Sequence, residues 1–227
     1  MNDHVQQNLK IIQARIREYE IKYQRVPGSV ALLAVSKNQS LEKIQQAIIA
    51  GQKSFGENYL QEAIPKIQFF AKENLQWHFI GLIQRNKTRK IAEYFSWAHT
   101  VTEKIIAQRL NDQRPQNLPA LNICIQVNIS QDPAKGGIKL NEVLPLVEFC
   151  VSLPRVRLRG LMVLPTQNSL SNEQATVFSA LKILYEDLNR KGFFLDTLSM
   201  GMSDDLETAI AEGSTLVRIG TGIFGSR

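Results

Sequence analysis

Apolar residues recur along this chain in two alternating rhythms. Short, nearly unbroken apolar runs bounded by polar or turn residues suit buried strands. Between them lie longer segments with apolar residues every three or four positions, the spacing of an amphipathic helix. Residues 5–25 open the chain with Leu9, Ile12, Ile16, Tyr19 and Tyr23 on one helical face, and Pro27-Gly28 ends the segment. Val30–Val35 follows as a strand of six consecutive apolar residues. Further strands are predicted at Ser54–Glu57, Gln76–Gly81, Trp97–Val101, Ala120–Ile129, Arg157–Leu164, Thr197–Gly201 and Thr215–Gly220. Helices are predicted at Leu41–Ala50, Glu62–Lys72 with Pro65 in its first turn, after the basic segment Gln84–Lys90, and at Glu103–Asn111, Asn141–Ser152, Asn172–Lys191 and Asp204–Gly213.

Strict alternation of strand and helix requires a parallel sheet, and eight such units are enough to close it. The pattern therefore predicts an α/β protein, a single (β/α)8 TIM barrel over residues 1–227 with an extra N-terminal helix. An open doubly wound sheet is the alternative. No shift in composition marks a second domain.

Composition narrows the possible partners. Apolar residues make up 44% and charged residues 21%, an ordinary globular balance. The 27 basic and 21 acidic side chains leave a net charge of +6, without any long run of one sign. Nucleic acid is therefore not an expected partner, and a basic pocket for a small anion is a more economical use of the surplus. Cys124 and Cys150 lack the spacing of a zinc site or a disulfide framework and read as buried thiols. Met1–His4 has no apolar leader, and no stretch approaches the ~18 apolar residues of a membrane span, so a cytoplasmic, monomeric protein without membrane contact is expected.

In a parallel barrel the chemistry sits at the carboxyl ends of the strands. Lys37 follows the first strand directly. An amine desolvated there loses basicity and becomes a better nucleophile toward a carbonyl; its plainer use is to snorkel to the rim. Other strand ends carry Glu57 and Asn58, His78 leading to Asn86 and Lys87, and Asn128 to Ser130. The last two strands end in Ser199–Gly201 with Ser203, and in Arg218 with Gly220–Gly222. Barrel phosphate sites are commonly built after strands seven and eight, where small residues let backbone amides approach an anion. The glycines also serve ordinary turns, His78 serves equally as a hydrogen-bonded core histidine, and Trp77 and Trp97 read as packing residues. Asp204-Asp205 suits a helix N-terminus by charge but opposes a phosphate there. A lysine facing a phosphate site across a barrel mouth suggests pyridoxal 5′-phosphate as cofactor.

The ordered segments Ala34–Lys37, Phe55–Tyr59, His78–Gly81, Gln126–Ser130 with Lys135, Arg159–Met162, Ser199–Ser203 with Asp205, Gly213–Thr215 and Val217–Gly220 closely resemble the pyridoxal phosphate homeostasis protein family. The resemblance runs from about Leu32 to Gly225 and implies a barrel similar to the N-terminal domain of alanine racemase. It implies that Lys37 is the Schiff-base lysine. Ser199, Gly201, Arg218, Gly220 and Thr221 match positions around the cofactor's phosphate and ring, and Asn58 matches a pocket position; Met200 and His78 are counted with them as candidate cofactor-binding residues. The chain departs from the family at Asp204, often a small residue, and at Leu82-Ile83, where many members have a proline after the glycine.

Two functions follow. The first is a protein without turnover that holds pyridoxal phosphate and buffers it or delivers it to apo-enzymes, with loop lysines such as Lys135 as transient acceptors. The second is an amino-acid racemase. Racemisation needs bases on both faces of the Cα carbanion. The alanine racemases take the opposing tyrosine from a second domain, which is not expected in a chain ending at Arg227. Related racemase barrels also set an arginine against the pyridine nitrogen. If Arg218 stands there, the ring stays unprotonated and is a poor electron sink. The binding reading is the expected one.

Overall fold

In the computed structural model, residues 4–132, 136–164 and 171–225 are described. Eight parallel strands close into a barrel in chain order: β1 (Ala31–Val35), β2 (Ser54–Glu57), β3 (Gln76–Phe79), β4 (Trp97–Val101), β5 (Leu121–Gln126), β6 (Val156–Met162), β7 (Thr197–Ser199) and β8 (Leu216–Ile219). Closure is made by β8 against β1, with Leu33 opposite Arg218 and Ala34 opposite Ile219. The expected TIM barrel is therefore present, and the open sheet is not.

The helices are α1 (His4–Lys22), α2 (Leu41–Ile49), α3 (Leu60–Phe69), α4 (Thr88–Tyr94), α5 (Lys104–Gln113), α6 (Leu140–Val151), α7 (Ser171–Arg190), α8 (Leu206–Ala211) and α9 (Thr221–Phe224). Their apolar stripes meet the outward-facing strand residues, among them Ala34, Phe55, Phe79, Val217 and Ile219, in one continuous buried layer. The one-turn α9 is too short to cover β8 and β1. The extra helix α1 lies there instead, burying Val5, Leu9, Ile12 and Ile16 and packing on α2, α8 and α9. Glu20, at its C-terminal end, turns its buried carboxylate to the Gly28 and Val30 amides (2.9 and 2.8 Å) and so aims the chain into β1.

Several boundaries differ from expectation for local reasons. Helix α3 starts two residues early, which moves Pro65 from the first turn into the second. Pro65 removes only one solvent-side hydrogen bond there, because it faces outward. Helix α8 starts at Leu206 rather than Asp204: Asp205 spends its carboxylate on the Met202 amide, in the turn before the helix. Strand β5 stops at Gln126, after which Val127 makes a single bridge to Ile138. A 3₁₀ turn, Arg85–Lys87, precedes α4, and α9 was too short for its periodicity to show. Pro165 and Lys135 lie outside the described residues. Among the described residues no helix is long and apolar enough to cross a membrane.

Gly160 shows how tightly β6 and β7 approach. A Cβ there would lie 1.7 Å from the Thr197 carbonyl oxygen, a backbone atom that cannot move without breaking the sheet. Gly160→Ala should cost on the order of 3 kcal/mol, the upper end of overpacking effects. Urea denaturation of the two proteins checks this, with a shifted midpoint expected at unchanged slope.

Candidate functional site

Alternation along the strands turns a second set of residues inward. Trp97, Cys124 and Met162 form a small apolar cluster separate from the outer layer. A polar row runs beside it. His78 Nδ1 lies 2.9 Å from His99 Nε2, and His99 Nδ1 lies 2.9 Å from Ser199 Oγ. Arg218 donates to Ser199 Oγ (2.8 Å), to the Ser199 carbonyl (2.6 Å) and to the Val163 carbonyl (2.9 Å). β4 and β7 are not neighbours in the sheet, so the His99–Ser199 bond crosses the barrel interior.

A guanidinium only donates, so Ser199 Oγ accepts from Arg218. The direction of the other two bonds follows the tautomers of the two histidines. His78 Nε2 is buried with no partner among the described residues. Trp97 stacks on the His78 ring (5.2 Å between centroids, 7° between planes), and the Arg159 guanidinium lies 4.7 Å over the Trp97 ring. Burial lowers the His78 pKa to about 3 and takes His99 well below its ordinary value, with His78 and Arg218 adding to the effect on His99. Both rings are neutral. Burial also lowers Arg218, to about 10, with Asp205 opposing the shift, so its cation persists at neutral pH.

Above this row, at the carboxyl ends of the strands, is a cavity of about 420 Å³. Lys37, Asn58, Arg218, Gly220 and Thr221 line it, five of the residues singled out from the sequence. Val35, Ile80, Met162 and Leu164 supply an apolar wall. Ser199 is fully buried beneath and acts on the cavity through Arg218. His78 lies further along the same row. Met200 and Gly201 do not reach the cavity. The Met200 side chain is buried in the outer apolar layer, because alternation turns it away from Ser199. Gly201, at φ +101°, receives the Arg218 amide on its carbonyl, and a Cβ there would meet Ala209 at 2.6 Å. The next three residues, Met202, Ser203 and Asp204, line the cavity instead.

Ser36, just before Lys37, is held by a charged cluster that the strand pattern did not reveal. Ser36 Oγ donates to Glu57 Oε1 (2.6 Å). Lys66, from α3, donates to Glu57 Oε1 (2.9 Å), Glu62 Oε1 (3.1 Å) and the Ser36 carbonyl (2.8 Å). Burial raises the Glu57 pKa, with Ser36 and Lys66 pulling it back. The i,i+4 spacing of Glu62 and Lys66 was a legible helix pair; its inward direction was not. His99 was missed as well, although its two-residue spacing from Trp97 marks it as facing the same side.

The site's chemistry is that of an amine, a fixed guanidinium and small polar groups around a hollow of ligand size. Among the described residues no cluster of three or more histidine, cysteine or carboxylate side chains could hold a metal. Cys124 and Cys150 are free and buried, their thiols pushed up to about 12 by burial, which makes them inert as nucleophiles.

Fold and site together define the class. The alanine racemase, N-terminal domain, family profile matches residues 3–227, and the chain belongs to that family. Within it, the chain is 47% identical to the pyridoxal phosphate homeostasis protein of Escherichia coli K12, over 100% of this chain and 98% of that one. It is 50% identical to the protein of the same name from Pseudomonas aeruginosa, over 98% and 96%. PipY from Synechococcus elongatus, solved with pyridoxal phosphate bound, superposes with a TM-score of 0.81 at 35% identity, covering 92% of this chain and 100% of that one. Alanine racemase from Corynebacterium glutamicum shares the fold alone: TM-score 0.70 at 13% identity, with 61% of that longer chain covered.

The neutral histidine pair sets a pH dependence. In the unfolded chain both rings take up protons near pH 6.5, while the folded chain refuses them. Their contribution to stability is present above pH 6.5 and is lost as the pH falls toward the folded values, about 3 for His78. The expected slope is up to about 1.4 kcal/mol per pH unit for each ring. Melting curves between pH 7.5 and pH 5 check this: His78→Gln/His99→Gln should show a shallower loss than the parent chain.

Proposed function

We propose that the cavity binds pyridoxal 5′-phosphate, with Lys37 as the covalent attachment point, and that the chain is a single binding domain that holds the cofactor for intracellular use without turnover of its own. The observation that carries this is the meeting of Lys37, at the end of β1, with Arg218, Gly220 and Thr221, at the end of β8, around one ligand-sized hollow. The identity to proteins named for pyridoxal phosphate homeostasis supports the choice of ligand.

The residues fit that group. Pyridoxal phosphate supplies an aldehyde that condenses with an amine, the carbonyl oxygen leaving as water, and a phosphate dianion. Lys37 is the amine on the cavity wall. Gly220 and Thr221 present the start of α9, whose first amides have no intrahelical partner. The Asn58 side-chain oxygen, buried and without a partner among the described residues, is an acceptor available to a ligand hydroxyl. Arg218 is a permanent cation whose position is fixed by three hydrogen bonds.

The same wall supports binding over racemisation. Among the described lining residues, the titratable groups are Lys37, Arg218 and the exposed carboxylate of Asp204. Tyr59, the tyrosine nearest in sequence to Asn58, is 59% exposed and lines a neighbouring hollow with Leu82 and Lys87. An arginine held charged beside the ligand disfavours protonation of a pyridine nitrogen and so weakens the ring as an electron sink.

Two measurements test this. Borohydride reduction of the pyridoxal phosphate-loaded chain should leave the cofactor on the Lys37 peptide, and Lys37→Ala should leave no label there; label confined to another lysine overturns the assignment. In heavy water the loaded chain should exchange the Cα hydrogen of amino acids no faster than free pyridoxal phosphate does. Exchange at about 1 s⁻¹ or more, lost in Lys37→Ala, overturns the absence of turnover.

A further inference from the structure

We infer that Glu62 and Lys66 form a backbone clamp that sets the direction of the Lys37 side chain, with Glu57 as the buried counterion that holds the clamp in place. The inference rests on Lys37 being the cofactor's attachment point.

The direction in which a side chain leaves the backbone is set by the two peptide planes that flank its Cα. Both planes around Lys37 are held, and by the same helix. The Ser36 carbonyl belongs to the plane before Lys37 and accepts from Lys66 Nζ at 2.8 Å. The Asn38 amide belongs to the plane after it and donates to Glu62 Oε1 at 2.5 Å. The two jaws stand one turn apart on α3 and are joined to each other at 3.1 Å. They grip a segment that is not relaxed. Asn38 sits at φ +58°, a left-handed conformation that costs energy for any residue with a Cβ, even though asparagine tolerates it better than most.

The clamp is anchored from below. Lys66 is only 7% exposed at its side chain and pairs at 2.9 Å with Glu57, which is 0% exposed. Ser36 Oγ donates to the same Glu57 oxygen, so the residue before Lys37 is tied to the cluster through its side chain as well as its carbonyl. Burying such a pair is weak evidence for stability, because desolvation of the two charges offsets much of their attraction. A cluster of two carboxylates and one ammonium that spends its hydrogen bonds on both sides of one lysine is instead suited to pre-orientation. Misplacing a reacting group by 1 Å can cost about 100-fold.

Glu62, at the partly exposed end of the cluster, is the residue to test, because its loss leaves the buried Glu57–Lys66 pair intact. Glu62→Ala removes the acceptor for the Asn38 amide, and Glu62→Gln keeps it. Two probes separate orientation from general binding. Pyridoxal phosphate needs the Lys37 amine, whereas pyridoxine 5′-phosphate, an alcohol in place of the aldehyde, needs only the rest of the cavity. Glu62→Ala should weaken pyridoxal phosphate binding about tenfold while pyridoxine phosphate binding stays within about twofold, and Glu62→Gln should restore most of the loss. The Glu57→Gln/Lys66→Met double variant, which removes the buried pair together, should show the same split, with the melting temperature of the unloaded protein reporting its fold. Equal weakening of both ligands in a folded Glu62→Ala protein overturns the clamp, as does unchanged pyridoxal phosphate binding. Absence of borohydride label on Lys37 in the parent chain overturns the attachment site itself, and the clamp with it.

Discussion

The Arg218 guanidinium inside the barrel is the constraint on which the rest of the interior depends. Burying a permanent cation is costly unless its donors find acceptors, and here the Ser199 carbonyl, the Ser199 hydroxyl and the Val163 carbonyl take three of its five N–H groups. Each acceptor constrains a different part of the structure. The two carbonyls hold the end of β7 and the chain just past β6 against β8. The hydroxyl joins the arginine to the His99–His78 pair. A single charge thereby links side chains from four strands, and the two histidines of the row stay neutral chiefly because they are buried, with Arg218 adding to the effect on His99.

This lumen differs from the layers of branched aliphatic residues that fill many barrels of this fold. Beside its apolar residues runs a polar row of two histidines, a serine and an arginine. Most of the apolar packing is therefore in the outer layer between strands and helices, where α1 covers the strip that the short α9 leaves open. The division allows the mouth to carry polar groups without weakening the main core. A cavity above an ordered row of hydrogen bonds is also pre-organised, because its arginine does not have to find its position when a ligand arrives.

The two charged systems on either side of the mouth act differently. On one side, Arg218 reaches the cavity itself. On the other, Glu57, Glu62 and Lys66 lie behind β1 and act on Lys37 through its backbone. In sequence, Lys37 and Arg218 are far apart; closure of β8 onto β1 makes them neighbours, with Ala34 opposite Ile219.

The sequence by itself determined the strand and helix order, the barrel class, and most of the mouth. Alternation of periods is a local property, and Lys37, Asn58, Arg218, Gly220 and Thr221 stand at or just past strand ends that the pattern locates. Three things were decided only by the tertiary structure. Past β7 the cavity is lined by Met202, Ser203 and Asp204 rather than by Met200 and Gly201, because the short β7 ends at Ser199 and alternation then turns Met200 outward. His99 joined the interior row because the barrel closes, bringing β4 across from β7 at a sequence separation of 100 residues. Lys66, on the surface by any helical count of charge, is buried because the Ser36 carbonyl and the Glu57 carboxylate lie directly beneath it. Periodicity tells which side of an element faces inward; what waits on that side depends on residues brought there by chain closure, which no local pattern records.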